Sequence, residues 1–213
     1  METSDEWIRQ RTGIQERRWI TEENPMGASD LGTRAAHMAL DAAGWAPEDL
    51  DFIIFATLSP DIMFPGGACL VARNLGLNST PALDIRQQCT GFLYGMATAD
   101  AYIKSGMAKK ILMIGAEVHS SGLDKSTRGR DVTVIFGDGA AAVCVEGVDT
   151  KDNVGLLASV LHADGNYAES LMTELPASNL FKRMPDGVAN DDARYFPSMD
   201  GPAIFKKAVR MLP

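Results

Sequence analysis

Apolar runs alternate with amphipathic segments along the first half of the chain. The segments 51–57 and 109–115, each with a continuous apolar run inside it, predict strands that are buried on both faces. Between Ser29 or Asp30 and Gly44, apolar residues recur at helical spacing and predict a capped helix. The predicted order is helix, strand, helix, strand, a cysteine-bearing helix and strand. This alternation favours an α/β fold whose mainly parallel sheet is covered by helices on both sides.

Polar positions define the segments at the two ends of the chain. Residues 1–11 predict a short helix capped by Thr3 or Ser4 and ended by Gly13. Residues 201–212 predict an amphipathic helix. One face of this helix carries Ile204, Phe205, Ala208, Val209 and Leu212, and the other carries Lys206, Lys207 and Arg210. Such a basic face is usually solvated, but in an acidic chain it is also a candidate surface for docking an acidic partner.

Two stretches between these ends predict irregular structure. Gly137-Asp-Gly139 lacks the Lys and Ser/Thr of a phosphate-binding loop, so a tight turn beside a buried strand is the better interpretation. His162 is predicted to close a strand. Residues 164–198 are rich in Asn, Asp and Pro and predict a long loop excursion of the kind that forms a lid or a mobile segment.

The composition and charge of the chain exclude several classes of function. The 213 residues are 46% hydrophobic and 23% charged, which is typical of a globular protein, and the net charge is −8. The acidic balance argues against binding to nucleic acid or to an anionic membrane surface. Three widely spaced cysteines form neither a disulfide framework nor a metal-binding pair. With no signal segment and no long apolar run, the sequence predicts a soluble cytoplasmic protein without a metal site.

Cys89 is the first candidate for chemistry. It lies where a short apolar run ends and a helix without any charged residue over 90–99 begins. A helix that is apolar all round is expected to be buried, so its N-terminus would direct the thiol into the interior. Unpaired N–H groups and the positive end of the helix dipole favour a nucleophilic cysteine there. A buried, inert cysteine is the alternative.

The remaining candidates are single residues or pairs. Trp7 and Arg11 are four residues apart on a predicted helix, and an indole beside a guanidinium can stack an aromatic base and bind its phosphates. An amphipathic helix with an exposed tryptophan is the alternative. Arg128 and Arg130 are further candidates for phosphate contacts. The three histidines share no metal-like spacing, and each is more often structural: His37, His119 and His162.

Six segments of the chain follow one another in a recognisable order. They are Thr3–Ile14, Phe64-Pro65 with Ala68-Cys69, Asp84–Gly91, Ile135–Ala140, His162–Gly165 and Met199–Lys206. Together they resemble β-ketoacyl-acyl-carrier-protein synthase III, a family of thiolase-like condensing enzymes. The resemblance implies a thiolase-like layered α-β-α fold. Residues 1–213 would form its N-terminal half, with a central buried helix starting at Cys89.

The resemblance assigns roles around the thiol and the nucleotide. It implies that Cys89 is the nucleophile that accepts the acyl group. Trp7 and Arg130 would sandwich the adenine of coenzyme A, while Arg11 and Thr3 would contact the nucleotide portion. The coenzyme A thioester is then a substrate, and no cofactor is implied.

Further roles implied by the resemblance concern the tunnel and the partners. Met199, Gly201 and Phe205 would line the pantetheine tunnel. Lys206 matches a position for docking the acyl carrier protein. Phe64 matches a residue that reaches across a homodimer and limits the acyl pocket.

The implied reaction initiates fatty acid synthesis in two halves. Cys89 first takes an acyl group from an acyl-CoA. Malonyl-acyl-carrier protein is then decarboxylated, and its carbanion attacks the acyl-cysteine in a Claisen condensation.

Some features depart from the family pattern. Gln87-Gln88 and Thr90 flank Cys89 where small alanines are usual, which leaves the starter acyl group open. The family's Pro-His-Gln-Ala-Asn and Gly-Asn-Thr segments do not occur. We therefore interpret the chain as incomplete, cut at both ends, and expect it alone to be poorly soluble or molten and unable to condense.

Two alternatives to the main interpretation stay open. One is a related condensing enzyme for long acyl chains or secondary metabolites, which the Gln-rich flank of Cys89 keeps possible. The other is a non-catalytic half-protein that binds acyl-CoA or an acyl carrier. The missing His and Asn segments favour this second alternative, whereas the intact Cys89 argues against it.

Overall fold

A computed structural model describes residues 1–180, 182, 186–187 and 189–211. The chain divides into two compact units. The larger unit contains Trp19–Val118 and Asp138–Leu161, and the smaller unit contains Met1–Arg18, His119–Gly137 and His162–Pro213. Among the described residues, no helix combines the length and the apolar character needed to cross a membrane.

A four-stranded sheet forms the centre of the larger unit. Its strands are β1 (Phe52–Ala56), β2 (Ala82–Ile85), β3 (Lys110–Glu117) and β4 (Gly139–Glu146), arranged in the order β2-β1-β3-β4. Strand β1 runs parallel to both β2 and β3, whereas β4 is antiparallel to β3. The predicted mainly parallel sheet is therefore confirmed.

Helices cover both faces of this sheet, as the sequence predicts. Helices α2 (Ala28–Ala43) and α3 (Gly67–Asn74) pack on the face that carries Phe55 and Leu112. Helix α4 (Gly91–Lys104) packs on the other face through Ala99. Successive residues of a strand point to opposite faces, so a continuous apolar run supplies both cores.

Glycines bring the two helices of the first face close to the sheet. The ring of buried Phe55 lies between Gly32 of α2 and Gly67 of α3. A Cβ atom at Gly32 would lie 2.6 Å from the ring, and one at Gly67 would lie 2.3 Å from it. Only residues without a side chain can therefore occupy these two positions without displacing the ring.

The smaller unit contains short elements. Helix α1 (Asp5–Thr12) is capped by the Ser4 side chain, which accepts a hydrogen bond from the Trp7 N–H, and it ends at Gly13 with a φ of 72°. The other elements are α5 (Arg130–Thr133), β5 (Leu171–Met172), β6 (Ser198–Met199) and α6 (Gly201–Met211). Strands β5 and β6 pair in antiparallel fashion.

The structure corrects two predictions about irregular segments. Residues 156–163 contain no regular secondary structure, so the strand predicted to close at His162 is wrong. These residues are exposed, and without a neighbouring strand their apolar pattern forms no ladder. The described part of 164–198 includes 3₁₀ turns at 165–170 and 193–195, and its Leu175 is buried, so this excursion is partly packed.

Candidate active site

Cys89 lies in the first turn of a helix, as predicted. A 3₁₀ turn over Gln88–Thr90 continues directly into α4. Gln88 has a φ of 44°, and it is the one non-glycine residue with a positive φ in the described part of the chain. A left-handed conformation costs such a residue roughly 1–2 kcal/mol. A strained residue therefore sets the direction in which the helix carrying the thiol begins.

The environment of the thiol differs from the prediction. Helix α4 buries one stripe of small residues against the sheet, namely Gly91, Gly95 and Ala99. Phe92 and Leu93 on its other side are 36% and 55% exposed, and Cys89 itself is exposed. The expectation that the thiol points into the interior is therefore wrong. The uncharged turns over 90–99 would need apolar neighbours all round to be buried, and the sheet covers only one side of them.

Asp84 holds the start of α3 through two hydrogen bonds. It lies on the largely half-buried edge strand β2, and its Oδ1 atom is directed at the start of α3. It accepts hydrogen bonds from the Gly67 N–H at 2.8 Å and the Ala68 N–H at 3.0 Å. Partial burial raises the pKa of Asp84, although these two hydrogen bonds oppose the rise. The carboxylate therefore anchors the end of the loop that carries the 84% exposed Phe64.

Trp7, Arg11 and Arg130 form a stacked group in the smaller unit. The central guanidinium carbon of Arg11 lies 4.3 Å from the centre of the Trp7 ring, which confirms that the two share a helix face. The corresponding carbon of Arg130 lies 5.1 Å from the same ring. We call these three side chains the nucleotide platform. Glu2 supports it, because its carbonyl accepts from Arg130 Nη1 at 3.3 Å and its N–H donates to Thr127 Oγ1 at 3.1 Å.

Arg128 is bound to protein groups. Its Nε donates to the buried Asp124, and its Nη2 donates to the Asp191 carbonyl at 3.0 Å. Its guanidinium also lies 5.4 Å from the centre of the Phe196 ring. These contacts give Arg128 a structural task, whereas Arg130 carries the stacking contact with Trp7.

Helix α6 presents part of its predicted basic face to solvent. Lys206 is exposed, as is the neighbouring Phe205 at 71%. The Nζ atom of Lys207 instead lies 2.6 Å from Asp164 Oδ2 and 4.7 Å from the centre of the Tyr167 ring. The hydrogen bond between the two raises the pKa of Lys207 and lowers that of Asp164.

The apolar face predicted for α6 is divided. Ile204 and Ala208 are half-buried, but Phe205 and Val209 are exposed. Leu212, the last residue predicted on this face, lies outside the described residues.

The predicted site residues are distributed over both units. The larger unit contains Cys89 and Phe64. The smaller unit contains Thr3, Trp7, Arg11, Arg130, Met199, Gly201, Phe205 and Lys206. Thr3 precedes the cap of α1 and is exposed, while Met199 is half-buried on β6 and Gly201 is the first residue of α6.

His37 is exposed on α2, and the ring of His119 meets Phe136 edge-on at 5.0 Å. His162 is exposed.

Comparison with known proteins finds relatives of this chain. The family model of 3-oxoacyl-[acyl-carrier-protein] synthase III matches residues 83–165, a range that includes Cys89. The expected family resemblance is confirmed. A β-ketoacyl-[acyl-carrier-protein] synthase III from Neisseria meningitidis serogroup B is 46% identical over 215 residues. That match covers 100% of this chain and 62% of the relative.

Solved structures of synthase III proteins share the fold. The enzyme from Aquifex aeolicus matches with a TM-score of 0.82 at 40% identity, over 98% of this chain and 60% of its own. The enzyme from Thermus thermophilus matches with a TM-score of 0.83 at 38% identity, over 99% and 61% respectively. The thiolase-like α/β fold is therefore confirmed. The chain spans about three fifths of the length of these synthase III relatives.

One group described above, the Asp84 carboxylate, was given no role by sequence reasoning. Asp84 lies on a strand, and nothing in the local pattern shows that its side chain reaches the N–H groups of α3. The one available signal was a carboxylate within an otherwise apolar run, since such a strand residue is expected to have a polar partner.

Proposed function

We propose that this chain carries the acyl-transfer machinery of a β-ketoacyl-acyl-carrier-protein synthase III. The Cys89 sulfur attacks the thioester carbonyl of an acyl-CoA, a new carbon–sulfur bond forms, and coenzyme A leaves as its thiol. In the whole enzyme, malonyl-acyl-carrier protein then loses carbon dioxide, and its carbanion displaces Cys89 to give the β-ketoacyl product. The observation that carries this proposal is the exposed thiol in the 3₁₀ turn that leads directly into α4, within the range that the family model matches.

The position of Cys89 in its helix supports the first step. N–H groups in the first helical turn have no partner within the helix and favour negative charge nearby. Such an interaction is worth about 0.3–1 kcal/mol, which is less than tenfold in an equilibrium. Most of the acceleration must therefore come from binding and orienting the thioester.

The nucleotide platform supports recognition of coenzyme A. An aromatic base between Trp7 and Arg130 needs two stacking separations of about 3.5 Å, or roughly 7 Å in total. Because the two groups are 5.1 Å apart, the Arg130 guanidinium must move by about 2 Å to admit adenine. Arg11 remains on the indole as a cation for the phosphates, and Thr3 lies one residue before the helix cap.

The remaining predicted residues extend the proposal to the other substrates. Met199, Gly201 and Phe205 are proposed to contact the pantetheine arm, and exposed Lys206 is proposed to dock the acidic carrier protein. Phe64, which is 84% exposed, is proposed to meet a second copy of the chain in a homodimer. The proposed enzyme is cytoplasmic and uses the coenzyme A thioester as a substrate, without a resident cofactor.

The proposal is tested by intact-protein mass spectrometry after incubation with acetyl-CoA and a longer acyl-CoA. We expect a thioester adduct on the wild-type chain and on Cys69→Ser, but none on Cys89→Ser. Cys69 is a matched control because it is also an exposed cysteine of the larger unit. An adduct that persists in Cys89→Ser, or a folded wild-type chain that forms none, would contradict the proposal.

A further inference from the structure

Arg17 binds two backbone carbonyls of the smaller unit. Its Nη1 atom donates to the Thr133 carbonyl at 2.5 Å and to the Phe136 carbonyl at 2.7 Å. The side chain is half-buried, and this burial lowers the pKa of Arg17. The backbone also approaches closely, because a Cβ atom at Gly137 would lie 3.3 Å from the Arg17 Cβ.

The Thr133 carbonyl lies at the end of the helix that carries Arg130, and the Phe136 carbonyl lies three residues beyond it. Thr133 is the last residue of α5, and carbonyls at a helix C-terminus have no partner within the helix and attract cations. The buried Thr133 side chain donates to the Asp124 carbonyl at 2.7 Å. Arg17 and this second hydrogen bond together hold the C-terminal end of α5 in place.

Arg17 also belongs to the segment that carries Trp7 and Arg11 of the nucleotide platform. The chain runs from α1, which bears Trp7 and Arg11, through Gly13 to Arg17. A guanidinium that reaches α5 from this segment therefore ties the indole side of the platform to the Arg130 side. Glu2 supplies a separate tie through its contacts with Thr127 and Arg130.

We infer that Arg17 is a positioning residue for the nucleotide platform. It fixes the backbone of α5, so that the opening of about 2 Å needed by a stacked base comes from the Arg130 side chain alone. The helix then stays in place, and Arg130 can close over the base. Without Arg17, the Thr133 and Phe136 carbonyls lose their hydrogen-bond donor and α5 can shift. The base then loses its stacking contact with Arg130. The inference rests on the proposed binding of coenzyme A.

The test compares Arg17→Met with Arg18→Met by calorimetric titration of the full chain with coenzyme A and with pantetheine, which lacks the nucleotide. Arg18 is a matched control because it is the next arginine along the chain, is exposed, and forms an ion pair with Glu16 at 2.9 Å. We expect Arg17→Met to raise the dissociation constant for coenzyme A about tenfold and to leave that for pantetheine unchanged. Arg18→Met should leave both constants unchanged.

A second variant guards against a general loss of structure. Arg17→Lys keeps a positive charge but lacks the planar fork of donors, so we expect an intermediate loss of coenzyme A affinity. Circular dichroism and thermal unfolding identify the folded variants. If both folded variants keep the wild-type preference for coenzyme A over pantetheine, or if both ligands weaken together, the role of Arg17 is refuted. If the wild-type chain shows no such preference, the platform itself is refuted.

Discussion

Both hydrogen bonds that Asp84 accepts end on the same oxygen, Oδ1. An asparagine retains a carbonyl oxygen that can take this place, so Asp84→Asn changes the charge while the two acceptor interactions can persist. The other oxygen, Oδ2, would lie 2.5 Å from a Cβ atom at Gly66, which also has a φ of 108°. The Asp84 carboxylate therefore packs against position 66, which only glycine readily occupies.

The raised pKa of Asp84 gives a prediction about pH. Because its pKa in the folded chain lies above the ordinary value, Asp84 favours the folded state when protonated, and that contribution is lost as the pH rises through the folded pKa. We expect the free energy of unfolding of Asp84→Asn, relative to that of wild type, to increase as the pH rises from the ordinary pKa of an aspartate to the raised pKa of Asp84. Urea unfolding at a series of pH values measures the difference.

Asp84→Ala provides the contrast. It removes the acceptor and leaves the Gly67 and Ala68 N–H groups without Oδ1, so we expect it to be less stable than Asp84→Asn by about 1–3 kcal/mol at every pH. Parallel stability curves for wild type and Asp84→Asn would contradict the assignment of the raised pKa.

Residues whose roles follow from local spacing were predictable from the sequence. The contact of Trp7 with Arg11 follows from their separation on one helix, and Cys89 was placed correctly at a helix start. The contacts of Asp84 and Arg17 join residues far apart in the chain, so no local pattern contains them. The exposure of Cys89 was also missed, because a pattern of apolar residues does not show which neighbours are present.

At the scale of elements, the close approach of α2 and α3 to the sheet depends on one aromatic ring. Gly67→Ala would place a methyl group 2.3 Å from the ring of Phe55, which is fully buried. We expect this substitution to lower the free energy of unfolding by about 1–3 kcal/mol, although alanine is the better helix former. Chemical denaturation measures the change.

A matched glycine and a second substitution test the steric explanation. Gly139 has no atom within 4 Å of a Cβ, so Gly139→Ala should be close to neutral. Phe55→Leu combined with Gly67→Ala should cost less than the sum of the two single changes, because the smaller side chain makes room. Additive costs would show that the ring is not the obstacle.

The elements themselves were predictable where periodicity and caps agreed. The runs at 51–57 and 109–115 became β1 and β3, and Gly13 and Gly44 end their helices in left-handed conformations. The strand expected to close at His162 failed, because a strand forms only where another backbone can pair with it. Strand pairing depends on the tertiary structure and cannot be predicted from the local sequence alone.

At the scale of the whole molecule, apolar side chains accumulate on the surface. In the segment 148–161 of the larger unit, Leu157 is 66% exposed and Val160 is 77% exposed. The exposed loop of Ile62, Met63 and Phe64 adds three further side chains. Exposed apolar patches of this kind favour association. The expectation that the chain alone is poorly soluble stays a prediction.

We predict that Leu157→Ser combined with Val160→Ser reduces self-association of the chain. The two substitutions remove apolar groups from water and leave the net charge of −8 unchanged. Size-exclusion chromatography with light scattering, at increasing protein concentration, measures the mass. Asn153→Ser, at an exposed and uncharged polar position of the same segment, is the control and should behave as wild type. Equal masses for the double variant and the control would contradict the prediction.

The contact between Trp7 and Arg130 makes the indole an optical reporter. A purine that enters between them replaces a cation on the ring face by an aromatic surface, which alters the fluorescence of Trp7. The other two tryptophans, Trp19 and Trp45, belong to the larger unit, and Trp45 lies under Lys110. With both replaced by phenylalanine, light emission would follow occupancy of the platform without requiring any turnover.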